Sequence, residues 1–136
     1  MTATRNPSQL LAELTQFSGG DCFYRHPLNC SVIYTEGVQY LALKAEAFWL
    51  LDAVVSYFGS PEMRGAMAVD DRLENLQFWR LQVGEDHSAV LTARADDGVE
   101  AFITQRIEFT DFPLQEIDIW AGFNGEGWTL YLPSEH

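Results

Sequence analysis

The residues best suited to chemistry lie in one short stretch, where Tyr24, Arg25 and His26 bring together a phenol, a guanidinium and an imidazole. Such a trio can grip an anion or pass protons, which makes it the candidate small-ligand site. The competing reading is structural. In a chain with few cations, Arg25 has Asp21 or Glu36 to pair with, and His26 has backbone carbonyls to satisfy. Asp52 belongs in the same discussion, because it interrupts the apolar run from Phe48 to Val55. An ionised carboxylate there is costly without a partner. Arg25, His26 or the hydroxyl of Tyr24, Tyr34 or Tyr40 could supply one, and the result would be either a structural clamp or an active-site acid.

Cys22, His26 and Cys30 recur at four-residue intervals, a spacing that on a continuous helix would align two thiolates and an imidazole for zinc. A structural zinc site needs four ligands, and Pro27 argues against the continuous helix. No metal and no cofactor are therefore expected, and the cysteines read as packing residues rather than as a disulfide or a Cys-His nucleophile. The acidic pairs Asp70-Asp71, Glu85-Asp86 and Asp96-Asp97 read as turn residues. No phosphate-binding glycine loop, nucleophile elbow or zinc-protease motif is present, and the balance leans away from an enzyme.

The elements that must position these groups form a single α+β domain spanning 1–136. Its helical part covers about 7–75 and its antiparallel sheet about 76–133. Pro7 opens a helix carrying Leu10, Leu11, Leu14 and Phe17 at helical spacing. Residues 21–29 read as a loop and Ser31 to Tyr34 as a short strand, followed by a continuous helix from Val38 to Phe58. From Leu76 the period changes to two, and turn signals divide the remainder into about five strands arranged as an antiparallel meander, one face against the helices. That core face includes Trp79, Leu81, Leu91, Ile103, Ile107, Phe109, Ile119, Trp128 and Leu130. The opposite face carries Arg80, Gln82, Thr92, Arg94, Thr104, Arg106, Glu108, Asp118 and Thr129. It also carries Phe78, Val90, Phe102, Trp120 and Tyr131, more large apolar groups than a solvated face favours. Phe78, Phe102, Trp120 and Tyr131 are accordingly the candidate interface residues.

Charge narrows the partners. Twenty acidic residues against eight basic ones give a net charge of -12, which repels nucleic acid and anionic membranes alike. With no apolar run long enough to span a bilayer and no signal-peptide pattern, the sequence reads as cytoplasmic.

Three segments carry a resemblance: Phe23 to Leu28 around Tyr24-Arg25-His26-Pro27, Tyr34 to Ala42 around Thr35-Glu36-Gly37-Val38, and Trp49-Leu50-Leu51-Asp52. With Ile107 to Leu114 they make the chain similar to a family of short bacterial proteins known only as a domain of unknown function. The resemblance implies one complete domain and draws attention to Tyr24, Arg25, His26, Trp49 and Asp52, with no role attached to any of them.

The function expected from the residues is a non-enzymatic protein-interaction domain with an acidic surface. It would self-associate, for instance as a homodimer, or bind a basic protein partner. The alternatives are a ligand-binding or enzymatic site at the Tyr24-Arg25-His26 loop near Asp52, and a nucleic-acid-mimicking inhibitor of a basic protein.

Overall fold

A computed structural model describes residues 7–17, 23–29, 31–96 and 98–136. Four helices, α1 (Pro7–Leu14), α2 (Glu36–Lys44), α3 (Phe48–Ser56) and α4 (Pro61–Val69), lie with one seven-stranded sheet. Its strands are β1 (Phe23–Arg25), β2 (Val32–Thr35), β3 (Leu76–Val83), β4 (Ala89–Arg94), β5 (Ile103–Ile107), β6 (Glu116–Phe123) and β7 (Trp128–Tyr131). The spatial order is β1-β2-β7-β6-β3-β4-β5, antiparallel throughout except where β2 runs parallel to β7.

The α+β class expected from the sequence is present, but the five-stranded antiparallel meander is corrected to a seven-stranded mixed sheet. The N-terminal β1 and β2 join the far edge, and only β3-β4-β5 is a meander. The chain then crosses back so that β6 pairs with the other side of β3. Thr110 N–H donates to the His87 carbonyl and Val83 N–H to the Gln115 carbonyl, fastening this crossing segment over the β3–β4 turn. Phe112 and Leu114 are buried within the segment, whereas Phe109 lies beyond β5 and is exposed rather than facing the core.

The continuous helix expected over Val38 to Phe58 is two helices. Glu46 adopts φ 54, with Glu46 N–H donating to the Leu43 carbonyl and Ala47 N–H to the Ala42 carbonyl. These are the two reversed bonds that satisfy the last carbonyls of a helix around a left-handed residue. The position is normally glycine, so nothing in the local sequence announces the break.

Why the helices dock is plain from their apolar faces. Val38, Leu41 and Ala42 on α2, and Leu50, Leu51, Val54 and Val55 on α3, are buried in one core with Trp79, Leu81, Leu91, Ile119 and Leu130 from the sheet. Gln77 is also buried there and fully bonded: its amide donates to the Leu73 carbonyl and to the Met63 sulfur, and its oxygen accepts from Trp79 Nε1. A buried amide of this kind is tolerated because its hydrogen-bonding groups are engaged.

Glu135 binds the C-terminal turn to the start of α2. Its Oε1 accepts from Thr35 Oγ1 at 2.6 Å and from Leu132 N–H at 2.9 Å, and its Oε2 accepts from Gly37 N–H at 3.3 Å. A carboxylate at this end complements the positive helix terminus while Thr35 caps it from within. A Cβ at Gly37 would stand 2.7 Å from Glu135 Oε1 and 2.9 Å from Leu132 Cδ1, so a side chain there would push against the clasp.

Candidate functional site

The Tyr24-Arg25-His26 stretch is split by the strand it occupies. Residues 23–25 form β1, whose register pairs Tyr24 with Tyr34 and Arg25 with Ile33. Successive strand residues point to opposite faces. Tyr24 therefore shares the helix side with Tyr34, their rings 5.7 Å apart, while Arg25 lies on the outer side with Ile33 and Thr129.

His26 ends the strand and turns inward. It is buried, and its Nδ1 accepts the Leu28 N–H at 3.1 Å, so the ring proton sits on Nε2 and is donated to Asp52 Oδ1 at 2.9 Å. Nδ1 holds the turn between β1 and β2, Nε2 ties that turn to α3, and His26 N–H closes it on the Val32 carbonyl. The apolar surroundings of Asp52 in the sequence suggest a buried carboxylate. Instead the histidine is buried and the aspartate side chain is 58% exposed, reaching in from the solvent side of α3. Burial, then the charge of Asp52, then Tyr24 push the Tyr34 hydroxyl above its ordinary pKa. The arrangement engages both imidazole nitrogens and leaves the neighbouring Tyr24 and Arg25 on opposite faces of the sheet.

The two cysteines of the zinc reading, Cys22 and Cys30, lie outside the described residues, as does Asp21. Among the described residues no group of three or more His, Cys, Asp or Glu could hold a metal ion.

The outer sheet face is different. Register places Arg94, Phe78, Trp120 and Tyr131 side by side across β4, β3, β6 and β7. Phe78 and Trp120 stack with centroids 4.9 Å apart, Tyr131 meets Trp120 edge-on at 6.2 Å, and His136 lies parallel to Tyr131 while its Nδ1 stands 2.9 Å from the Tyr131 hydroxyl. Partial burial in this row raises the Tyr131 pKa. Of the four candidate interface residues, Phe78, Trp120 and Tyr131 come together. Phe102 does not join them: it precedes β5, donates its N–H to the Ala93 carbonyl and packs against the core.

Beside the row runs a groove of about 340 Å³ lined by Phe78, Arg80, Arg94, Asp96, Asp118 and Trp120. Arg80 is held by Asp118 at 2.7 Å. Arg94 is held differently, its Nε donating to the Val99 carbonyl at 3.0 Å and its terminal nitrogen to Thr92 Oγ1 at 2.8 Å, with no carboxylate in ion-pair contact among the described residues. On the outer-facing strand positions four arginines, Arg25, Arg80, Arg94 and Arg106, oppose two carboxylates, Glu116 and Asp118. With Asp96 in the groove lining and Glu108 just beyond β5, this face carries charges of both signs. Sequence reasoning finds these residues by their period of two but misses His136, which packs on Trp120 and Tyr131, and the clasp of Glu135, whose partners Thr35 and Gly37 lie about a hundred positions away.

Fold and surface together define an α+β domain with helices on one side of a mixed sheet and a partly open face of aromatic and charged residues on the other. The chain belongs to the family of unknown function DUF6876, whose model matches residues 8–136. Comparison with curated proteins and with solved structures finds no match. Among the described residues no helix is long and apolar enough to cross a membrane.

Proposed function

We propose that this chain is a non-enzymatic protein-interaction domain whose contact surface is the outer face of the sheet, where it meets a second copy or another protein. The observation that carries this reading is the continuous Phe78–Trp120–Tyr131 row across three strands. Aromatic residues with an adjoining arginine are the side chains that dominate binding energy at protein interfaces, because they bury large areas with few rotatable bonds. The row sits on strands, which hold it rigidly for docking.

The ligand or enzyme reading at Tyr24, Arg25, His26 and Asp52 has less support, since both nitrogens of His26 are occupied and Tyr24 and Arg25 diverge. The nucleic-acid-mimic reading rests on net charge alone, and the cations of the outer face supply no support for it.

A photo-reactive amino acid at Gln82, on the outer face, compared with one at Ser56, on α3, tests the proposal in cells. Protein adducts from Gln82 and not from Ser56 are expected. Equal yields from the two positions, or none from Gln82, would contradict it. Light scattering over a concentration series then separates a second copy from another partner.

A further inference from the structure

The turn joining β6 to β7 holds an electrophile and a nucleophile side by side. Asn124 and Gly127 flank a two-residue loop, Gly125-Glu126, with φ 98 at Gly125, and Asn124 N–H closes it on the Gly127 carbonyl at 3.1 Å. The side-chain oxygen of Asn124, Oδ1, accepts the Glu126 N–H and the Gly127 N–H, both at 2.9 Å. Two donors on one carbonyl oxygen draw electron density from its carbon and stabilise the charge that gathers on the oxygen when that carbon is attacked. The attacking group is the next nitrogen in the chain. Among the described residues the Gly125 N–H is in no hydrogen bond, Gly125 has no side chain to crowd it, and residues 123–126 are exposed to water. The other asparagines lack this combination. Asn29 Oδ1 accepts from Ser31 N–H and Oγ, but Asn29 is followed by Cys30 and Asn75 by Leu76, whose side chains hinder the attacking nitrogen. Asn6 precedes Pro7, which has no N–H to give up.

We infer that Asn124 is a self-modifying residue, which loses its amide through a ring formed with Gly125 and ends mainly as aspartate. The Gly125 nitrogen gives its proton to water and bonds to Asn124 Cγ. The Cγ–Nδ2 bond then breaks, and Nδ2 takes up a proton and leaves as ammonia. One water opens the resulting cyclic imide: its oxygen bonds to Cγ, the bond from Cγ to the ring nitrogen breaks, and that nitrogen recovers a proton. The sum is one water consumed and one ammonia released, with no oxidant or reductant. Opening at the other ring carbonyl, the main-chain carbon of Asn124, would instead leave an isoaspartyl link that routes the chain through Cγ. The two N–H groups select between these outcomes, because they polarise the Cγ carbonyl and then hold the new carboxylate by charge-assisted bonds. The isoaspartyl link adds a carbon to the main chain within a turn whose ends are set by the pairing of Phe123 with Trp128.

The purified protein is incubated in neutral buffer with and without urea, and its peptides are separated and weighed, with the Asn124→Asp variant supplying the standard for the aspartate product. In the folded protein the amide of Asn124 should be lost ahead of those of Asn6, Asn29 and Asn75, and the main product should match the standard. In urea the turn's donors are gone, and the isoaspartyl peptide should predominate. Asn124→Gln, whose longer side chain disfavours the ring, should lose the conversion in the folded protein. Alanine at φ 98 is strained, so Gly125→Ala is read in urea, where its loss of conversion depends on the side chain alone. Asn124→Asp keeps an acceptor for both N–H groups and should unfold no earlier in urea than the parent. An unchanged Asn124 in the folded protein over a period in which the urea sample converts would overturn the inference. So would equally fast conversion at Asn29 or Asn75, or the same product ratio with and without urea.

Discussion

The buried imidazole of His26 donates from Nε2 to the exposed carboxylate of Asp52 at 2.9 Å, joining the β1–β2 turn to α3 across 26 positions of sequence. The relationship is asymmetric: among the described residues the histidine gives that proton only to Asp52, whereas the aspartate is already solvated.

Asp52→Ala should therefore destabilise the fold by about 1–2 kcal/mol, the cost of leaving a buried N–H unmatched. Asp52→Asn keeps an oxygen to accept the same proton and should cost less than about 1 kcal/mol. Urea unfolding of the two variants checks this. Equal losses would show that the charge matters and the acceptor does not.

The clasp at α2 makes a second prediction, one of coupling. Glu135→Ala should cost about 1 kcal/mol as a lost helix-terminal carboxylate. Gly37→Ala should cost more, because its Cβ would meet Glu135 Oε1 at 2.7 Å and Leu132 Cδ1 at 2.9 Å. In the double variant the first of those clashes is gone, so Gly37→Ala should be milder there than in the parent. A double-mutant cycle by chemical denaturation reads the difference directly.

How much of this was legible beforehand follows from range. Trp79, Leu81, Leu91 and Leu130 announce the core face by their alternation, and Phe78, Trp120 and Tyr131 announce the other, because a period of two is a local property. The partner of Asp52 is among the residues that its apolar surroundings suggest. The parallel pairing of β2 with β7 is not legible, since it joins segments almost a hundred residues apart and β1 has only three residues. Glu46 conceals a helix end because a non-glycine residue occupies the left-handed position.

That parallel pairing opens on a close backbone approach. Trp128 N–H donates to the Ser31 carbonyl at 2.9 Å, and a Cβ on the preceding Gly127 would fall against that same oxygen. Gly127→Ala should cost at least about 2 kcal/mol, since only backbone movement can relieve the contact. Gly65→Ala, where nothing stands within 4 Å of the added carbon, should be neutral to stabilising. Thermal melts of the two variants should diverge accordingly.

Alkaline titration offers a further check with a definite sign. Burial raises the Tyr34, Tyr57 and Tyr131 pKa values, with Asp52 adding to the shift of Tyr34 and Glu62 to that of Tyr57. A raised pKa favours the protonated phenol in the folded state. The resulting stability is complete below the unfolded value of about 10 and is lost as pH rises through the folded values. Tyrosinate absorbance should therefore show a late-titrating group, and Asp52→Asn should bring part of it to lower pH.

The most direct measurement is the photo-crosslink yield from Gln82 with Trp120 intact and with Trp120→Ser, circular dichroism verifying that both proteins are folded. An interaction face organised by the aromatic row predicts protein adducts from the parent and loss of most of them in the variant. An unchanged yield in a folded Trp120→Ser protein would contradict the account.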